Sequence, residues 1–233
     1  MMNLDRLAEH LGVSGGTGYL FERVVIDSRE AGPGSLFFAL PGTIADGHDF
    51  VGDALARGAA AVVSREGFQG PVLRVEDTGN ALLEAGKWAR ARFGCPVVAV
   101  TGSSGKTTTR EMLVAALVGF FRVDGTRGNL NNRLGLPMTL LNADPDAQVL
   151  ILELGMNHSG ELLELGGAAR PDMTVITNVG TAHIEFFGSR ERIAEAKAEL
   201  LLTTAPGGMA VIPFGESVLS NAARERGLRV FTT

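Results

Sequence analysis

Pro96-Val97-Val98-Ala99-Val100-Thr101-Gly102-Ser103-Ser104-Gly105-Lys106-Thr107-Thr108-Thr109-Arg110-Glu111-Met112-Leu113-Val114-Ala115-Ala116-Leu117 carries three local patterns in succession. A β-branched apolar run comes first, a glycine-serine turn second, and a stretch of helical composition third. Strand, glycine loop and helix in this order bring backbone N–H groups together on phosphate oxygens at a helix N-terminus. Gly102, Ser103, Ser104 and Gly105 supply the loop, Lys106 a point charge for the outer phosphates, and Thr107 a hydroxyl for Mg²⁺, with Thr108 beside it. Threonines 107–109 are also expected to cap the helix. The usual phosphate loop has a further glycine at position 100, where Val100 stands, so this one is a shortened variant. Motif and context together read as a site for ATP with magnesium rather than a glycine turn beside a surface lysine.

Outward from the loop, continuous apolar runs alternate with helical segments at residues 97–100, 149–152, 173–176, 209–212 and 228–231. Short runs of this kind flanked by glycine or proline suit strands buried on both faces, which makes residues 81–233 a doubly wound, mainly parallel α/β domain. Upstream, Leu4, Leu7, Ala8 and Leu11 recur at helical spacing before Gly12. Residues 21–26, 35–40, 59–63 and 71–75 read as short strands, 47–57 and 79–92 as helices. Residues 1–80 are therefore expected to form a small mixed α/β domain.

Hydrophobic residues make up 45% of the 233-residue chain, enough for a sizeable core, and 31 glycines point to tight turns or close backbone approaches to a ligand. A formal charge of -5, without a basic cluster interleaved with aromatics, argues against nucleic acid as a partner. Cys95 is the single cysteine, and no apolar stretch has the length of a membrane span. A cytoplasmic, monomeric protein without membrane insertion is the expectation.

Ligands of open α/β sheets sit at the carboxyl ends of the strands, so polar residues directly after buried runs are candidates for chemistry. Glu153 ends one run and is read either as a magnesium ligand or as a capping or ion-paired carboxylate. Asn178 and His183 follow another, and His183 is read as a metal or substrate ligand or as a structural imidazole. Lys197 lies on the apolar arc of a helix over residues 191–201, opposite Glu191, Glu195 and Glu199. Either it snorkels, or it is buried with a lowered pKa and is reactive.

In combination these segments resemble the Mur ligases, ATP-dependent enzymes that extend the peptide of the bacterial cell-wall precursor. Residues 100–109 look like the family's phosphate loop, with Val100 in its place. Gly128-Asn129-Leu130-Asn131-Asn132, Glu153-Leu154-Gly155-Met156-Asn157 and Asn178-Val179-Gly180-Thr181-Ala182-His183 follow in the family's order. Ala194-Glu195-Ala196-Lys197-Ala198-Glu199 looks like the segment whose lysine is carbamylated, which implies an anion at Lys197 that helps hold magnesium with Thr107, Glu153 and His183. Within the family, the members that add D-alanyl-D-alanine to UDP-N-acetylmuramoyl-tripeptide are the most similar. Ile26-Asp27-Ser28-Arg29, residues 33–40 and Asp46-Gly47-His48-Asp49-Phe50 resemble their uridine-nucleotide-binding domain. The resemblance implies precursor binding by Ser28, Arg29, Asp46, Gly47, His48, Asn131 and Asn132, and contact of Asn178 with the nucleotide.

Mur ligases carry a third, carboxy-terminal domain, so the chain is expected to be a truncated form with an incomplete central domain, inactive on its own. The resemblance implies that Lys106, Glu153, His183 and Lys197 serve transfer of the γ-phosphoryl group to a peptide carboxylate, followed by amide formation. The rival readings are a tripeptide-forming Mur ligase, a folate polyglutamate ligase lacking the uridine-binding domain, and a P-loop module that binds nucleotide without ligation.

Overall fold

The computed structural model describes residues 1–233 except Gly16, Ile44 and His183. It divides into two compact units, residues 1–89 with 140–142, and residues 90–139 with 143–233. The units part between Ala89 and Arg90, whereas the expected boundary stood at Asn80.

In the first unit, a short antiparallel pair, β1 (Met2–Asn3) and β2 (Leu20–Phe21), flanks α1 (Leu4–Leu11). Asn3 caps α1 by accepting the N–H groups of Asp5 and Arg6, and left-handed Gly12 ends it. A four-stranded parallel sheet follows in the order β3 (Arg23–Val25), β4 (Ser35–Phe38), β5 (Ala60–Val63), β6 (Val72–Arg74). All residues of β4 and β5 are buried, which is why they read as unbroken apolar runs. Val25, Phe37, Val51, Ala61 and Val63 form a core between the sheet and α2 (Val51–Ala56). Helix α3 (Thr78–Arg90) leads out of the unit.

The second unit is a six-stranded sheet in which every neighbouring pair runs parallel. Its strands are β7 (Val97–Thr101), β8 (Val123–Gly125), β9 (Val149–Glu153), β10 (Met173–Ile176), β11 (Met209–Ile212) and β12 (Arg229–Thr232), ordered β12-β11-β10-β7-β9-β8. The five apolar runs read from the sequence are all strands. Edge strand β8 carries no strand signal in the sequence, because Val-Asp-Gly has neither an apolar run nor a clean alternation. The chain winds to one side of β7 through β8 and β9, then crosses to the other through β10, so the switch point lies beyond the carboxyl ends of β7 and β10.

Helices α4 (Lys106–Leu117), α5 (Gly135–Leu141, of which residues 140–141 count with the first unit), α6 (Glu161–Ala169), α7 (Ile184–Phe187), α8 (Arg190–Thr203) and α9 (Ser217–Glu225) complete the unit. Beneath α4 the sheet buries Val100, Val149, Ile151 and Val175 against Leu113, Val114 and Leu117. Each fully buried aliphatic side chain there contributes about 1.5–3 kcal/mol. Helices α6 and α8 pack closely because a Cβ at Gly166 would stand 2.2 Å from the Thr203 hydroxyl. Glu199 of α8 also accepts the N–H groups of Gly160 and Leu163 at the start of α6, at 2.7 and 3.3 Å.

Candidate active site

The loop at the switch point is held open from the end of β10. Asn178 accepts the Ser104 N–H through Oδ1 at 3.0 Å and donates from Nδ2 to Ser104 Oγ at 2.7 Å. Thr177 Oγ1 donates to the Ser104 carbonyl at 2.6 Å, and the Gly180 N–H to Ser103 Oγ at 2.9 Å. Gly102 has φ +152° and passes so close to β10 that a Cβ would stand 1.9 Å from Thr177 Oγ1. Asn178, expected to contact nucleotide, therefore shapes the loop in this structure.

Helix α4 begins at left-handed Gly105, and no side chain caps it. The expected threonine caps are not formed, since the chain enters the helix from the loop and Thr107 is directed elsewhere. An uncapped first turn behind a glycine loop leaves N–H groups for an anion, which fits phosphate. Lys106 Nζ donates to the Gly102 carbonyl at 2.9 Å and lines a pocket of about 400 Å³ with Asn131, Asn132, Met156, Asn157 and Glu161.

Thr107 Oγ1 donates to Glu153 Oε2 at 2.9 Å, bringing two oxygen ligands side by side, a donor set suited to a hard cation such as Mg²⁺. Glu153 is only 2% exposed. Its Oε1 accepts Asn131 Nδ2 at 2.8 Å, and Arg110 Nη1 stands 3.6 Å from Oε2. The carboxylate does not cap a helix; its own N–H is tied to Thr126 Oγ1 at 2.9 Å. Asn132 Oδ1 instead accepts the N–H groups of Leu134 and Gly135 and starts α5. Among the described residues no cluster of three or more His, Cys, Asp or Glu side chains forms a metal site. His183 lies outside the described residues.

Lys197 does not snorkel. It is 2% exposed on α8, and burial, together with the Lys106 charge, lowers its pKa from 10.5 to about 8. The buried hydroxyl of Thr101 at the end of β7 has no hydrogen-bond partner among the described residues.

Separately, in the first unit, Ser28, Arg29 and Gly47 line a cleft of about 520 Å³ with Ile26, Asp27 and Phe50. Asp27 accepts the Arg29 N–H and guanidinium; these bonds hold its pKa at about 2. Asp46 accepts His48 N and Nδ1 at 2.9 and 2.7 Å, which lowers its pKa, and also pairs with Arg65. The Ser64 N–H donates to His48 Nε2 at 2.9 Å. With both ring nitrogens engaged and 4% exposure, His48 has no ring nitrogen left for a ligand.

Sequence reasoning passed over Arg110, Thr126 and Thr177. Arg110 had a readable signal, since it follows Thr107 by three positions and thus shares its helix face. Thr177 had one too, since it directly follows the buried run 173–176, whereas Thr126 had none, because its partner Glu153 comes from another strand.

Fold and site together define an α/β protein of the P-loop kind, with a glycine loop and an oxygen pair at the switch point of a parallel sheet. The family model of the Mur ligase middle domain matches residues 100–233, and that of the Mur ligase family catalytic domain residues 21–91. The chain belongs to the Mur ligase family. It is 41% identical over 206 residues to the UDP-N-acetylmuramoyl-tripeptide--D-alanyl-D-alanine ligase of Synechocystis sp., covering 86% of this chain and 45% of that relative. It thus spans about half the length of the relatives it matches. The crystal structure of MurF from Acinetobacter baumannii superposes with TM-score 0.91 at 35% identity, over 99% of this chain and 52% of that one. MurF from Thermotoga maritima in complex with ADP gives 0.85 at 36% identity, over 93% and 51%. No helix among the described residues is long and apolar enough to cross a membrane.

Proposed function

We propose that the chain forms the precursor-binding and nucleotide-binding part of an ATP-dependent carbon–nitrogen ligase. The ligase joins D-alanyl-D-alanine to UDP-N-acetylmuramoyl-tripeptide, a cytoplasmic step of bacterial peptidoglycan precursor synthesis. The observation that carries this reading is the Thr107–Glu153 oxygen pair beneath the phosphate loop, next to a pocket that Lys106 shares with Asn131 and Asn132. The 41% identity to a ligase named for those two substrates supports the substrate assignment.

In the first step, a terminal carboxylate oxygen of the peptide bonds to the γ-phosphorus of ATP as the bond to ADP breaks. In the second, the dipeptide amine bonds to the acyl carbon, phosphate leaves, and the amine gives up a proton. Two anions meet in the first step, so charge stabilisation is the main task of the site. Lys106 and the uncapped N–H groups of α4 bind the phosphates, and Asn178 with Thr177 keeps the loop open for them. Thr107 and Glu153 would hold magnesium, with His183 and a carbamylated Lys197 as further ligands. When bound, magnesium supplies positive charge to the transferring phosphoryl oxygens. The cleft of Ser28, Arg29 and Gly47 would take the uridine nucleotide.

The test is ADP release by the gene product that carries this chain, given MgATP, UDP-muramoyl-tripeptide and D-alanyl-D-alanine. Omitting any one is expected to abolish amide formation. ADP release with no amide product under complete conditions would favour a nucleotide-binding module instead.

A further inference from the structure

Buried guanidinium groups require a reason, and Arg110 has one that the phosphate-loop motif does not supply. It is 4% exposed, on the first turns of α4, and its Nη1 donates to the Gly128 carbonyl at 3.0 Å while standing 3.6 Å from Glu153 Oε2. Its Nη2 donates to Glu111. One side chain thereby touches both the candidate magnesium carboxylate and the head of the 128–132 loop. That loop returns to the same carboxylate through Asn131 Nδ2, and its Asn131 carbonyl accepts the Gly155 N–H at 2.7 Å. Asn131 and Asn132 also line the pocket that contains Lys106. The arrangement is a closed ring, from Arg110 to Gly128, along the loop to Asn131, to Glu153, and back to Arg110.

We propose that Arg110 is a positioning residue that fixes the orientation of Glu153 toward Thr107 and locks the 128–132 loop to it, so that the metal carboxylate and the pocket beside Lys106 are set together. The proposal rests on the reading of Thr107 and Glu153 as magnesium ligands. A guanidinium suits this role because Nη1 of its planar group faces both the Gly128 carbonyl and Glu153 Oε2 while Nη2 is held by Glu111, whereas an ammonium acts as a single point charge. It also balances the charge of a carboxylate that is otherwise enclosed by uncharged donors, the hydroxyl of Thr107 and the amide of Asn131. Groups that orient metal ligands in this way typically alter metal affinity by about 10–100-fold when removed.

The experiment is calorimetric titration of the 233-residue chain with the non-hydrolysable imido analogue of ATP, with and without Mg²⁺, for the wild type, Arg110→Met and Arg110→Lys. The quantity read is the gain in affinity that Mg²⁺ confers. Arg110→Met is expected to reduce that gain by about 10–100-fold while leaving the magnesium-free affinity unchanged. Arg110→Lys, which keeps the charge but not the fork, is expected to recover part of it. Should Arg110→Met fail to fold, Arg110→Lys decides, with a reduced magnesium gain still required. A full magnesium gain in a folded Arg110→Met chain would overturn the proposal. So would equal losses with and without Mg²⁺, which would mark Arg110 as structural only. A wild-type chain that binds the analogue without any magnesium effect would instead overturn the assignment of Thr107 and Glu153, and the proposal with it.

Discussion

Lys106 and Lys197 are two cations in one neighbourhood with opposite requirements. Among the described residues Lys106 donates only to the loop carbonyl of Gly102, so Lys106→Ala is expected to leave the melting temperature nearly unchanged. Its affinity for MgATP should fall roughly 10–100-fold, the loss of a charged hydrogen bond of about 1.5–3 kcal/mol. Unchanged affinity by calorimetry would remove the loop assignment. Lys197 is buried and its pKa lies at about 8 against 10.5 in the unfolded chain. Below pH 8 both states carry the proton, and the folded state bears the full cost of a buried ammonium, on the order of 3 kcal/mol. Between 8 and 10.5 the unfolded chain binds more protons than the folded one, so wild-type stability rises with pH across that window. Lys197→Met should be more stable than wild type at pH 7 and show no such rise in denaturant melts. The same amine, once neutral, is the form that adds CO₂. Incubation with ¹³C-bicarbonate is expected to give a carbamate resonance in the wild type that Lys197→Met lacks.

At the scale of the element, the strand β7, loop and helix α4 act as one device whose tolerance is set by the neighbouring strand β10. Gly102→Ala would drive a Cβ to within 1.9 Å of Thr177 Oγ1, whose hydroxyl holds the Ser104 carbonyl at 2.6 Å. The loop must shift, at about 1–3 kcal/mol of strain. Affinity for the imido ATP analogue should drop at least as far as in Lys106→Ala, although no ligand-binding side chain has been removed. Wild-type affinity in Gly102→Ala would mean that the loop does not need its observed shape. Within the sheet, Ile151→Ala opens the core beneath α4 and is expected to destabilise the second unit by about 2–5 kcal/mol in chemical denaturation.

At the scale of the molecule, each compact unit carries its own cleft, so each should respond to its own ligand. A ligand present at a hundred times its dissociation constant adds about 2.7 kcal/mol to the unit that binds it. With the magnesium-bound ATP analogue, hydrogen exchange is expected to slow around residues 97–107 and 149–153. With UDP it should slow around residues 26–29 and 47–50, and Arg29→Ala should weaken UDP without affecting the ATP analogue. Protection of the second unit by UDP would refute the cleft assignment in the first.

The parallel sheet of the second unit was legible in the chain alone, because strands buried on both faces must be apolar throughout, and residues 149–152 and 173–176 meet that condition without a partner in view. So was the order of strand, glycine loop and helix around residues 101–107, since its pattern lies within one short stretch of chain. Whether Glu153 and Lys197 are buried, and what Glu153 touches, could be read only from the folded molecule, because exposure and partners are properties of the packed state. Helical spacing put Lys197 on an apolar arc but could not say whether its amine reached water; the packing of α8 leaves it 2% exposed. Edge strand β8, the partners of His48 and those of Arg110 were equally hidden, although the helix face of Arg110 could be read from its spacing to Thr107. Each depends on residues brought together from distant parts of the chain, such as Ser64 with His48 or Arg110 with Glu153, and no local periodicity encodes such a meeting.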